Sequence, residues 1–125
     1  MSRNRWFLSL LACTLLSVAA ESRAQTPQQY VVVYVEFQPA EANHGKKLVD
    51  ELARESLASP GVINFSAVRE SGRANRFALV ERWSSAEAYQ TYKGSSTWAT
   101  FLADAQPLLA APLDERPGVL LSGRP

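Results

Sequence analysis

The chain has 125 residues, of which 46% are hydrophobic and 20% charged, with 13 basic residues, 12 acidic residues and a formal net charge of +1. This near-neutral balance excludes the broad basic surface by which proteins hold nucleic acids or anionic lipids. The length is sufficient for one domain with one hydrophobic core.

Residues 1–24 have the organisation of a secretory signal peptide. Arg3 and Arg5 precede an apolar run, residues 6–20, which is short for a bilayer span and is followed by small side chains. The interruption of the arginine pair by Asn4 favours the general export route over twin-arginine export. The sequence therefore predicts an exported protein, periplasmic or secreted, with no stable membrane span in its mature form.

Small side chains place the predicted cleavage after Ala24, with cleavage after Ala20 as the second choice. Lipidation at Cys13 and an uncleaved membrane anchor are further alternatives. The predicted mature domain spans residues 25–125. Three basic residues and one acidic residue precede it, which leaves 10 and 11, and the only cysteine precedes it too. The mature domain can form no disulfide or thiolate metal site, so packing must stabilise it.

The first predicted elements are a strand and an amphipathic helix. Residues 30–37 are almost entirely β-branched or aromatic, which is typical of a strand covered on both faces. Apolar residues then recur at helical spacing over residues 43–59, with Asn43 as the predicted N-cap. Pro60 and Gly61 are expected to end this helix. A helix with one apolar face requires a sheet to pack against.

A β-hairpin is predicted next. The second strand spans residues 62–70, with Ile63, Phe65 and Ala67 on one face and Asn64 on the other. Turn-forming residues 71–75 lead into a third strand, residues 76–83. The short connection makes this pair antiparallel.

Two further helices and a last strand complete the predicted domain. Ser84 and Glu87 fit a capping box that starts a helix ending near Lys93, and Ser95 or Ser96 caps the next helix. Prolines 107, 112 and 117 mark a loose tail, and residues 118–122 form the final predicted strand.

This order of elements predicts an α+β fold, the ferredoxin-like βαββαβ arrangement with a four-stranded antiparallel sheet. The face opposite the helices is expected to be too apolar to remain in water, so a homodimer is predicted. The side chains expected on that face are those of Val31, Val33, Val35, Ala78 and Val80.

From about residue 30 to residue 122 the chain resembles the antibiotic biosynthesis monooxygenase family, also called quinol monooxygenase-like, of dimeric α/β barrels. The resemblance is carried, in order, by Pro60-Gly61, then Phe77, Leu79, Glu81 and Trp83, then Glu87-Ala88, Ser95 and Phe101. It implies a cofactor-independent oxygenase that acts on quinols or related phenolic or polyketide-like aromatics. The implied partners are a small aromatic substrate and dioxygen, and no metal or other cofactor is implied.

Such a reaction needs an apolar chamber, polar groups that hold a phenolate, and a base. Tyr92 and Glu81 are the candidate catalytic residues. The candidate substrate-binding residues are Tyr34, Asn64, Phe65, Trp83, Trp98 and Phe101. Each has a structural alternative: Glu81, for example, is alternatively a buried carboxylate paired with an arginine or the backbone, and Asn64 an edge-strand surface residue.

One departure from the family weakens the enzymatic hypothesis. Many members carry a histidine five residues after the glutamate of the Glu-Ala pair, whereas this chain has Tyr92 there. Tyrosine donates hydrogen bonds well but is a poor base at neutral pH. The haem ligands of a related branch also have no equivalents, and His44 is expected in solvent at a helix start.

Two hypotheses of different class therefore follow from the sequence. One is an exported cofactor-free monooxygenase, and the other is a catalytically silent dimeric module that binds a small molecule or serves as an accessory protein. Isomerase or decarboxylase chemistry on the same fold is a minor third alternative. The enzymatic hypothesis requires space for at least one aromatic ring between the sheet and its helices.

Overall fold

The computed structural model describes residues 26–125. The predicted signal peptide and the alternative lipidation site lie outside the described residues. The strands are β1 (Gln29–Glu36), β2 (Val62–Arg69), β3 (Arg76–Trp83) and β4 (Asp114–Gly118), and the α-helices are α1 (Ala42–Ser56), α2 (Ala86–Lys93) and α3 (Ser96–Ala105). Short 3-10 turns at Pro39–Glu41 and Gln106–Leu108 precede α1 and follow α3.

The four strands form one antiparallel sheet in the order β2-β3-β1-β4. The helices cover one face of it, so the predicted ferredoxin-like α+β fold is confirmed. Among the described residues, none of the helices has the length and apolar character needed to cross a bilayer.

The helix-facing side of the sheet forms the core. On β1 it presents Val31, Val33 and Val35, each at most 1% exposed. The expected placement of these three valines on the opposite face is wrong. Because both faces of β1 are apolar, the sequence alone does not fix which alternate set faces the helices. The outer face instead carries Tyr30, Val32 and Tyr34 on β1 with Ala78, Val80 and Arg82 opposite them on β3.

Helix α1 starts and ends earlier than predicted. Its N-cap position is Glu41, which makes no side-chain cap, so the assignment of this role to Asn43 is wrong. The 3-10 turn that begins at Pro39 feeds directly into the helix and replaces a capping side chain. Gly45 lies against the buried ring of Phe37, and a Cβ atom there would come within 2.3 Å of the ring. Glycine is therefore required at this helix position for contact with the core.

A β-bulge shifts the start of β2. Val62 pairs with Trp83 and Asn64 pairs with Arg82, which leaves Ile63 as the extra residue. Ile63 is 38% exposed and does not share the core face with Phe65 and Ala67, contrary to the prediction from strict alternation.

Serine side chains cap both short helices. Ser85, not Ser84, is the N-cap of α2, and its hydroxyl accepts the backbone N–H of Ala88. The predicted capping box of Ser84 with Glu87 is therefore wrong, because the residue three after Ser85 is Ala88, which has no polar side chain to complete such a box. Ser95 caps α3 by accepting the N–H of Trp98, which confirms one of the two predicted caps.

The last strand is Asp114–Gly118, and the prediction of a strand at residues 118–122 is wrong. β4 pairs with β1 along the sheet edge, with Pro117 opposite Val31. An edge strand tolerates proline because it needs hydrogen bonds on one side only. The segment before β4 is tied to β1 as well, since the N–H of Ala110 donates to the carbonyl of Glu36 at 2.8 Å. The tail after the helices is thus held to the sheet.

Candidate functional site

Aromatic side chains from β2, β3, α2 and α3 meet between the sheet and the helices. This aromatic cluster contains Phe65, Trp83, Tyr92, Trp98 and Phe101, each at most 5% exposed. The ring centroids lie 4.6 Å apart for Trp83 and Tyr92, 5.9 Å for Phe65 and Tyr92, and 5.8 Å for Tyr92 and Trp98. These are contact distances between neighbouring rings. The chamber expected from the sequence is therefore filled by the protein's own side chains.

Glu81 is the acidic group of this cluster. It lies on β3 two residues before Trp83, faces the core, and is 1% exposed. Its Oε2 accepts the indole N–H of Trp83 at 2.8 Å, while Oε1 has no hydrogen-bond partner among the described residues. Burial raises the pKa of Glu81 from 4.5 to about 7, a shift that the Trp83 hydrogen bond opposes. A carboxyl group with this pKa can both take up and release a proton near neutral pH.

Tyr92 is close enough to Glu81 to feel its charge, but its hydroxyl is held by a different partner. Its hydroxyl makes a buried hydrogen bond of 2.8 Å with Ser56 at the end of α1. Burial raises the pKa of Tyr92 above its ordinary value of 10, the hydrogen bond with Ser56 lowers it, and the negative charge of Glu81 raises it further. Tyr92 therefore stays protonated at neutral pH and can act as a hydrogen-bond donor, but not as a general base.

One side of the cluster is closed by three polar residues that are not among the eight predicted site residues: Tyr89, Lys93 and Glu115. Glu115 on β4 accepts hydrogen bonds from the Tyr89 hydroxyl and from Lys93 Nζ, and Lys93 Nζ lies 4.3 Å from the ring centroid of Trp98. Burial and the bond to Glu115 raise the pKa of Tyr89. Glu115 was missed because residues 114–116 are all charged and lack the apolar alternation of a strand. A charged residue flanked by tail prolines was the only available signal.

Two predicted binding residues lie on the other side of the sheet. Tyr34 is 48% exposed on the outer face, and the guanidinium carbon of Arg116 lies 5.1 Å from its ring centroid. Asn64 is exposed and donates to Ser66 Oγ at 3.1 Å. The structure therefore brings together six of the eight predicted site residues and separates these two from them.

Two further polar residues, His44 and Glu36, are at the surface. His44 lies in the first turn of α1 with its Nδ1 3.5 Å from Glu41, and its side chain is 57% exposed. Glu36 ends β1 and pairs with Arg76 at 3.2 Å. Neither touches the aromatic cluster, which leaves Glu81 as its buried carboxylate and Glu115 as the carboxylate at its edge.

The sequence of this chain matches a known protein family. Residues 29–104 match the model of the antibiotic biosynthesis monooxygenase family. The chain belongs to that family. It is 25% identical over 81 residues to the "Putative monooxygenase YcnE" of Bacillus subtilis, which covers 65% of this chain and 85% of that protein.

Solved structures share the fold at lower sequence identity. PA3566 from Pseudomonas aeruginosa superposes with a TM-score of 0.74 at 14% identity, covering 80% of this chain and all of that one. Rv0793 from Mycobacterium tuberculosis superposes with a TM-score of 0.72 at 19% identity, covering 77% of this chain and 97% of that one. These likenesses agree with the fold class predicted from the sequence.

Proposed function

We propose that this family member is an exported, catalytically silent dimeric module that serves as an accessory protein. The observation that carries the proposal is the filled chamber, in which the ring of Tyr92 is in contact with those of Trp83, Phe65 and Trp98, at centroid distances of 4.6, 5.9 and 5.8 Å. The raised pKa of Tyr92, which occupies the position of the histidine expected from the family resemblance, supports it. Both features remove what the oxygenase reaction needs, which is space and a base at that position.

The outer face of the sheet supports the dimeric part of the proposal. Tyr34, Val68 and Val80 are 39–50% exposed there and lie side by side on three neighbouring strands. Large apolar side chains in a continuous patch are typical of an interface between subunits. A second copy packed on this face would remove them from water.

A second candidate function is a cofactor-independent monooxygenase of a quinol or related phenol. The observation that favours it is Glu81 Oε1, which is buried and without a hydrogen-bond partner among the described residues. A carboxylate with a pKa of about 7 in an apolar site is suited to deprotonate a phenol. This function requires Tyr92 and Trp98 to move apart and admit the substrate between them.

One assay distinguishes the two functions. The purified, metal-stripped protein is given hydroquinone and an anthrone, and dioxygen consumption is followed with an electrode. The silent module predicts a rate equal to that of the spontaneous oxidation. The monooxygenase predicts a faster rate that Glu81→Gln lowers by at least about tenfold.

A matched control guards the assay against nonspecific effects. Tyr34→Phe and Tyr92→Phe each remove one tyrosine hydroxyl, the first from the outer face of the sheet and the second from the aromatic cluster. Tyr34→Phe is therefore the control. Oxygen uptake above the spontaneous rate that falls with Glu81→Gln but not with Tyr34→Phe would overturn the silent module. Uptake unaffected by Glu81→Gln would contradict the second candidate.

A further inference from the structure

β4 is attached to the rest of the fold more weakly than the other strands. None of its five residues belongs to the hydrophobic core, and the half-buried Glu115 is its least exposed member. Each of β1, β2 and β3, in contrast, contributes at least one buried apolar side chain. Segments with few buried apolar contacts open locally at a low cost in free energy. β4 is therefore the strand expected to separate first from the sheet.

Glu115 makes the side-chain contact between β4 and the helices. It lies opposite Val33, which is fully buried on the helix-facing side, and directly opposed residues of two strands point to the same side of a sheet. Its two oxygens accept hydrogen bonds from the Tyr89 hydroxyl and from Lys93 Nζ, both on α2. Among the described residues, the other hydrogen bonds between side chains of β4 stay within the strand. One carboxylate therefore joins β4 to α2.

The partners of Glu115 border the aromatic cluster. Lys93 Nζ is 4.3 Å from the ring centroid of Trp98, and the ring centroids of Tyr89 and Trp83 are 6.1 Å apart. The side chains of Lys93 and Glu115 are 23% and 29% exposed, whereas both tryptophans are at most 3% exposed. Water thus reaches the ion pair, while the indoles are shielded from it. An ion pair in contact with water contributes modestly to stability, so it can break while the fold persists.

We propose that β4 is a detachable strap and that Glu115 is the latch that keeps it closed over the edge of the aromatic cluster. When the carboxylate of Glu115 leaves, Tyr89 and Lys93 regain water as a partner, and the cluster opens between β1 and α2. The proposal concerns access to the cluster and not its chemistry, so it holds for the silent module and for the monooxygenase alike. The oxygen-uptake assay that distinguishes those two functions does not bear on it.

Hydrogen exchange of the full protein, followed by NMR at one fixed pH, tests this proposal. Glu115→Ala should speed the exchange of the β4 amides by at least about tenfold, because two hydrogen bonds to a charged group are lost. The indole N–H of Trp83, which is buried and donates to Glu81, should exchange faster as well. The amides that join β2 to β3 should keep their rates. Glu115→Gln retains the shape of the side chain without its charge, so it should produce a smaller acceleration at the same positions.

Asp114→Ala is the matched control, because it removes the same charge from the neighbouring residue of β4, whose carboxylate bonds to Arg116 on the outer face. It should leave the exchange rates unchanged. Unchanged β4 rates in Glu115→Ala would overturn the latch, and so would an equal acceleration at every strand, since Glu115 would then support the whole fold. Faster β4 amides with an unchanged Trp83 indole would show that β4 does not cover the cluster, which would also overturn the proposal.

Discussion

The indole N–H of Trp83 donates to the carboxylate of Glu81 at 2.8 Å, and the two residues are neighbours on the same face of one strand. Residues two apart on a strand point the same way, so β3 alone brings these groups together. The hydrogen bond satisfies the tryptophan but only one of the two carboxylate oxygens. Glu81 is therefore neither a fully paired structural carboxylate nor a solvated one.

The pKa of Glu81 predicts a specific dependence of stability on pH. Because its pKa is about 7 in the folded protein and 4.5 ordinarily, the folded state binds more protons than the unfolded state between these values. The free energy of unfolding should therefore fall as the pH rises from 4.5 to 7, by roughly 3 kcal/mol from this group, and should level off above. Glu81→Gln should abolish that slope and be more stable than the original protein at pH 8.

Urea unfolding at a series of pH values measures this effect. Asp50→Asn, which changes an exposed carboxylate on α1, serves as the control and should keep the slope. An unchanged slope in Glu81→Gln would mean that Glu81 is ionised throughout this range.

Gly45→Ala should destabilise the protein even though alanine favours helices. The added Cβ would lie 2.3 Å from a ring carbon of Phe37, which is fully buried and cannot move aside. Overpacking of this kind costs about 1–3 kcal/mol, more than the helix propensity gained. Gly94→Ala is the matched control, since its nearest heavy atom would be at 3.6 Å. A midpoint of thermal unfolding for Gly45→Ala that equals or exceeds that of the original protein would contradict this contact with Phe37.

The hydroxyls of Ser56 and Tyr92 should be energetically coupled. Tyr92→Phe leaves Ser56 Oγ buried without its partner, so we expect a loss of about 1–2 kcal/mol in the free energy of unfolding. Adding Ser56→Ala should cost little more, because the bond is already lost. A double-mutant cycle measures the coupling, and strictly additive losses would show that the two hydroxyls do not interact.

Val80→Arg should dissociate the proposed dimer. Val80 lies between Val32 and Ser66 near the middle of the outer face, and burying a charge there against a second copy is strongly unfavourable. Leu57→Arg, at an exposed apolar residue after α1, should leave assembly unchanged. Light scattering at micromolar concentration checks both variants. A monomeric mass for the original protein would remove the dimer from the proposed function.

The sequence predicts this fold well because its elements are local and strongly patterned. Glu81, Trp83, Tyr92 and Trp98 converge as expected, since strand and helix periodicity place each on the core side. The prediction of which face of β1 packs against the helices was wrong. Val31, Val33 and Val35 alternate with Val32 and Tyr34, so neither set is polar enough to be identified as the outer one.

The contacts that Glu115 makes with Tyr89 and Lys93 could not be predicted for a different reason. The position of Glu115 depends on the pairing of β4 with β1, two strands that are far apart in the sequence. A local sequence pattern does not predict such a pairing. The filling of the chamber is likewise a matter of side-chain volume. The sequence reveals that several rings converge, but whether they leave space between them depends on packing distances of a few tenths of an ångström.

Pro117 on β4 has a consequence for how copies of this protein can associate. A sheet that extends from molecule to molecule needs an edge strand on each side whose backbone N–H and C=O groups can pair with a neighbour. Here the edge strand β4 is only five residues long and includes Pro117, which has no amide hydrogen, whereas the other edge strand, β2, has eight residues. The edge strand β4 is therefore a poor site for backbone pairing with a neighbouring molecule, and this disfavours endless fibres built by sheet extension.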